Sequence, residues 1–195
     1  MTLRIETRNH YLRYALNALL PPARYEQETC IIDLSSYPSF LTILQCVCQH
    51  KDAARFIFIG DAGLHSRALQ PLISLETKLP LQSYYEKLRH CPGVSYETAM
   101  KSLHAQRNME AYSHQDKTTV YSLLLRDTMH EAARFIGISN KQFYRRLYEL
   151  TKKLNQQSGL HTHLFFRREF HPDYVRTRID DQLRVSLHRD LRTQH

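Results

Sequence analysis

HEAARFIGISNKQFYRRLYELTKKL, residues 130–154, is the stretch whose reading decides the fold. Met129 to Ile136 is expected to form a short helix, in which the small Ala132 and Ala133 suit a close helix crossing. Gly137 ends it, because glycine tolerates the left-handed conformation that a helix stop requires. Ile138 plugs the core, and Ser139 then starts a second helix as N-cap, with Gln142 at N3 completing a capping box. Phe143, Leu147, Leu150 and Leu154 recur at intervals of four, three and four and face inward. The opposite face carries Lys141, Tyr144, Arg145, Tyr148 and Lys152, with Arg146 to one side. The basic face alone fits an ordinary solvated amphipathic helix. A short helix, a Gly-Ile-Ser turn, a capped longer helix and that face together point to a helix-turn-helix over Thr118 to Phe166. Arginine donates two bonds to a guanine edge and lysine reaches phosphates, so this face suits the major groove of DNA.

Charge agrees with this placement. The chain carries +8 in all. Residues 1–130 contribute +2 (14 Lys+Arg against 12 Asp+Glu) and residues 131–195 contribute +6 (13 against 7). A basic C-terminal third implies a polyanion partner, nucleic acid or an anionic membrane, between which charge does not choose. The longest apolar runs, such as Phe56 to Ile59, are too short to span a bilayer. Arg4, Glu6, Arg8 and Arg13 break up the apolar h-region that a secretory signal needs, so a cytoplasmic protein is expected. There is no Gly-rich phosphate loop, nucleophile motif or zinc signature, so neither an enzyme nor a cofactor is expected. His161-x-His163 with His171 reads as a solvated or phosphate-contacting cluster and not as a metal site. Cys46-x-Cys48 is a poor zinc spacing, and Cys30, Cys46, Cys48 and Cys91 read as reduced thiols.

Toward the N-terminus, strand and helix patterns alternate. Strands are expected at Leu3–Thr7, Thr29–Leu34 and Arg55–Ile59, with a weak one near Leu75–Leu79. Helices are expected at Tyr11–Leu20, Ser39–His50, Leu64–Ser74 with Pro71 as a kink or stop, and Leu81–His90. That alternation predicts an α/β domain with a mainly parallel sheet, followed by an all-α domain. The expected divisions are an α/β domain at 1–92, a helical linker at 93–115, the helix-turn-helix domain at 116–166 and a basic tail at 167–195. The tail suits a basic amphipathic helix or partial disorder.

Residues 130–154 resemble, without a gap, the DNA-binding domain of LuxR/FixJ-type regulators. Glu131-Ala132-Ala133 stands at that family's Glu-Ile-Ala, Ile138-Ser139 at its Ile-Ser, and Lys153-Leu154 at its Lys-Leu. Leu123–Leu125 match the first helix and Leu160–Phe165 the last, dimer-forming one. Gln142-Phe143 replaces the usual Thr-Val, and Arg146 a frequent His. The resemblance implies base reading by Tyr144, Arg145 and Tyr148, and phosphate contacts from Ser139, Lys141, Arg146 and Lys152, with Gln142 in the same DNA-contacting set.

The first half is similar to a response-regulator receiver domain. Asp33 ends the second strand ahead of Pro38, as a phospho-acceptor does, and Lys78-Leu79-Pro80 is similar to the Lys-Pro after the last strand. Phosphoryl transfer to an Asp needs Mg²⁺ held by carboxylates. Thr7 and Arg8 stand where the acidic pair belongs, Gly60-Asp61 replaces the Thr or Ser after the third strand, and one strand–helix unit is largely missing between Leu20 and Thr29. The expectation is a shortened pseudo-receiver in which Asp33 is a vestigial phospho-acceptor kept for fold or capping, with Arg8 a candidate partner standing in for the metal. This combination resembles auxiliary enterobacterial regulators of the RcsA, BglJ and FimW kind. It implies a transcription regulator whose partners are double-stranded DNA and either a second copy or a related regulator, with no membrane. The competing reading is an anti-activator that sequesters a related regulator without reading DNA itself.

Overall fold

The computed structural model describes residues 3–20 and 28–170. The chain divides into two compact units, residues 1–111 and 112–195. In the first, β1 (Leu3–Glu6), β2 (Thr29–Asp33), β3 (Arg55–Gly60) and β4 (Ile73–Glu76) form one sheet, all parallel, in the order β1-β2-β3-β4. Its helices are α1 (His10–Leu19), α2 (Phe40–Gln49), α3 (Leu64–Ala68), α4 (Leu81–His90) and α5 (Tyr96–Arg107).

The central strands are buried on both faces, which is why TCIID and RFIFIG read as continuous apolar runs. Ile31, Ile57 and Ile59 point to one face, where they pack with Leu16 and Leu20 from α1 and its end and with Tyr84 and Leu88 of α4. Phe56 and Phe58 point to the other, where Phe56 meets Tyr96 of α5. There α2 and α5 lie against each other, with the Cys48 sulfur 3.8 Å from both Tyr96 Oη and Met100 Sδ. Thus the helix between β1 and β2 lies on one face and the helix between β2 and β3 on the other. Both connections advance one strand in the same direction, so they have opposite hands, although parallel crossovers are almost always right-handed.

Three expectations are corrected here. The helix predicted for Leu64–Ser74 stops at Ala68, because Pro71 enters a 3-10 turn at Gln70–Leu72. The fourth strand therefore begins earlier than expected, and its Leu75 joins the core. The segment expected as a linker contains α5, which buries Ala99 and Leu103 within the first unit.

The second unit holds α6 (His114–Leu125), α7 (Met129–Phe135), α8 (Asn140–Lys153) and α9 (Gly159–Glu169). Each starts at a hydroxyl N-cap, respectively Ser113, Thr128, Ser139 and Ser158, and the first three form full capping boxes. Leu123, Ala132, Ala133, Phe143 and Leu147 are the buried centre, with Met129, Ile136 and Ile138 packed around them. Arg167 and Arg168, expected in the tail, extend α9, and the tail beyond Phe170 lies outside the described residues.

Candidate nucleic-acid interface

The turn between α7 and α8 sets the direction of the exposed helix. Gly137 has φ +69°, and an added Cβ would meet nothing within 4 Å, so backbone conformation and not space selects glycine. The Ile138 N–H donates to the Ala133 carbonyl at 3.1 Å and the Gly137 N–H to that of Arg134 at 3.1 Å, closing a Schellman motif. Ser139 Oγ then accepts from the Gln142 N–H at 3.3 Å, while Gln142 Oε1 accepts from the Ser139 N–H at 3.1 Å.

From this start, 3.6 residues per turn brings Lys141, Tyr144, Arg145, Tyr148 and Lys152 within an arc of about 100°. All five are exposed, with Tyr144 at 57% and Tyr148 at 56%, while Phe143, Leu147 and Leu150 are buried on the far side. Lys152 Nζ lies 4.4 Å over the Tyr148 ring, which holds an ammonium beside a phenol along the face. Arg146 is half-buried on the flank. Among the described residues, Lys141, Arg145 and Arg146 make no ion pair. The sequence-predicted set thus splits in two. Five residues share the exposed face, and Arg146 borders it. Ser139 and Gln142 are joined in the N-cap, which leaves the Gln142 side-chain N–H₂ group as its remaining donor.

Sequence reasoning missed Asn140 and His130. Asn140 Nδ2 lies 3.0 Å from His130 Nδ1, tying the first turn of α8 to α7. The signal was present in the Ser-Asn pair at the helix start, but the ten-residue reach to His130 was not. At the other end, Lys153 Nζ lies 2.9 Å from Asp116 Oδ2 and so joins α8 to α6. Burial pushes the Asp116 carboxyl up, yet the Lys153 and Ser113 hydrogen bonds outweigh it and hold the group below its usual range. In α9, His161 Nδ1 is 2.8 Å from Ser158 Oγ, His163 is lowered by burial and then by Arg167, and His171 lies outside the described residues.

Asp33 in the first unit is 1% exposed and fully engaged. Its Oδ2 accepts from Thr7 Oγ1 at 2.7 Å and Ser36 Oγ at 2.8 Å. Its Oδ1 accepts from Ser35 Oγ at 2.7 Å and the Ser35 N–H at 3.1 Å, which caps the 3-10 turn Leu34–Ser36. Arg8 is exposed and touches this group through its backbone N–H, which donates to Ser36 Oγ at 2.8 Å. The partner opposite Asp33 is therefore Thr7, not Arg8, because consecutive residues leaving β1 point in opposite directions. Glu6, the nearest sequence acid, turns to His50 Nε2 at 2.9 Å. Burial and then the Asp33 charge push the Tyr84 phenol up to about 12, so it stays protonated.

No protein-family model matches the chain, and no curated protein matches it. Among solved structures it is similar to the response regulator StyR (14% identity, 86% of this chain and 98% of that chain, TM-score 0.33). It is likewise similar to full-length FixJ from B. japonicum (14%, 86% and 96%, 0.31). A third is RcsB from Salmonella enterica serovar Typhimurium, bound to promoter rprA in the presence of phosphomimetic BeF3- (12%, 86% and 98%, 0.34). The superpositions are loose at these TM-scores. Among the described residues, no helix is long and apolar enough to cross a membrane.

Proposed function

We propose that this chain is a DNA-binding transcription regulator that reads the major groove with α8 of a LuxR-type helix-turn-helix. The observation that carries the reading is the exposed face of Lys141, Tyr144, Arg145, Tyr148 and Lys152 on a helix fixed at its start by a Schellman turn and a capping box. Arg145 and the two tyrosines supply base-edge and apolar contacts, while Lys141, Lys152 and Arg146 supply phosphate contacts. Double-stranded DNA and a second copy or related regulator are its partners, and it is not an enzyme.

The first unit acts as a pseudo-receiver that does not depend on phosphorylation. Receiver-like sheets run 2-1-3-4-5. Right-handed crossovers then place the first helix on one face and the second and third on the other. Removing the second strand and its helix leaves the order 1-3-4-5 with those facings unchanged. That is the β1-β2-β3-β4 order and the opposite-handed pair of connections seen here. Asp33 has both oxygens occupied by hydroxyl and amide donors, and Thr7 takes the place where a metal-holding acid belongs.

The test is DNA affinity of the purified full chain against salt. Phosphate contacts make log K fall linearly with log salt. A steep slope, retained without change when beryllofluoride and Mg²⁺ are added, is the expected result. A flat slope favours the anti-activator reading, which the unusual Tyr144 and Tyr148 in the reading face also suit.

A further inference from the structure

Cys46 and His50 stand four residues apart on α2 and at its C-cap, so both project over the same neighbour. That neighbour is Glu6 at the end of β1. One ligand atom from each of the three, a thiol sulfur, an imidazole nitrogen and a carboxylate oxygen, lies within 4.8 Å of the other two. We propose that Glu6, Cys46 and His50 bind one Zn²⁺ ion, with water completing a tetrahedral set.

The donor types select the metal. Thiolate and imidazole suit zinc and other late divalent ions, whereas Mg²⁺ and Ca²⁺ take oxygen ligands. Zinc bonds of roughly 2.0–2.3 Å place tetrahedral ligands about 3.5 Å apart. His50 Nε2 and Glu6 Oε1 are already 2.9 Å apart, so modest side-chain rotation around a common centre suffices. Side-chain exposures of 14% for His50 and 34% for Glu6 leave a route for the ion from solvent. Tyr37 Oη donates to the Cys46 sulfur at 3.0 Å, an outer bond of the kind that orients a metal ligand. Burial pushes the Cys46 thiol up to about 11, so without metal it carries a proton, which the cation displaces to solvent.

One neighbour opposes binding. Arg4 Nη1 lies 3.0 Å from His50 Nδ1. Arginine has only donors, so Nδ1 accepts and Nε2 carries the ring proton and donates to Glu6. Zinc at Nε2 requires that proton on Nδ1 and requires Arg4 to swing away. Arg4 is therefore a competitor for the ligand, and its removal tightens the site. Occupancy would pin β1, at one end of the sheet order, to α2.

The test titrates chelator-treated full-length protein with Co²⁺, whose thiolate bond gives a charge-transfer band, and then with Zn²⁺. The expected result is one equivalent per chain, displaced by zinc. The band is lost in Cys46→Ser and kept in Cys48→Ser and Cys91→Ser. Affinity is weaker by roughly 10–100-fold in Tyr37→Phe and tighter in Arg4→Met. Absence of a band in the wild type, or a band persisting in Cys46→Ser, overturns the site. If Cys46→Ser does not fold, the Arg4→Met titration decides. Equal or weaker affinity there means that the cluster is a hydrogen-bonded network alone.

Discussion

The two units are specified in different ways. In the second, each of the four described helices opens on a hydroxyl cap within its own sequence, and the turn before α8 is closed by bonds spanning a few residues. In the first, each strand finds its partner far along the chain, as where Leu3 pairs with Thr29 and Thr29 with Arg55. Its key polar group, Asp33, is held locally by Ser35 and Ser36 but meets Thr7, 26 residues away, only across the sheet. A locally encoded unit displays its exposed basic and aromatic face on one helix. A non-locally encoded unit hides the meaning of a residue until the sheet forms.

Substitutions test this contrast. Phe143→Ala removes a fully buried ring from the core of the second unit and is expected to cost about 3–5 kcal/mol. Calorimetry should show the second unit's transition falling while the first unit's sheet melts as before, and a joint collapse would break the contrast. Asp33→Ala leaves the hydroxyls of Thr7, Ser35 and Ser36 without their acceptor, at about 1–3 kcal/mol. Denaturation should record that loss, with DNA affinity per folded molecule unchanged; a gain or loss of DNA response would restore a signalling role to Asp33. Arg145→Ala should weaken specific DNA binding by about 1–3 kcal/mol, whereas Lys152→Ala should lower the salt slope by about 1. Ser139→Ala removes the α8 cap, for about 1 kcal/mol of stability.

The smallest effect concerns pH. Burial and Arg167 lower the His163 pKa, so the fold favours the neutral ring. That contribution is complete above the unfolded value of about 6.5 and is lost as pH falls through the folded value. His163→Gln should flatten the weak acid-side decline in the second unit's melting temperature.

How much was legible follows the same division. Ser139, Gln142 and Gly137 announced the turn of α8 because capping and left-handed glycine are local chemistry. The apolar runs of β2 and β3 announced a buried parallel sheet. β4 was misplaced because Ile73 and Leu75 follow a proline that ends a helix pattern only after the fact. α5 read as a linker because Ala99 and Leu103, four residues apart on one helix face, are buried by α2 and β3, elements far away along the chain. Arg8 was chosen over Thr7 opposite Asp33 because charge is visible in sequence and side-chain direction is not. Glu6, Cys46 and His50 escaped notice for the same reason, since metal spacing was sought between Cys46 and Cys48.

The measurement that tests the central claim most directly is genome-wide occupancy of the tagged chain in its host, beside an Arg145→Ala/Lys141→Ala variant. Discrete promoter peaks that vanish in the variant are the predicted result. Peaks that survive in the variant, or that need a second regulator, would mean that a partner reads the DNA. No peaks at all would contradict the account and leave an anti-activator.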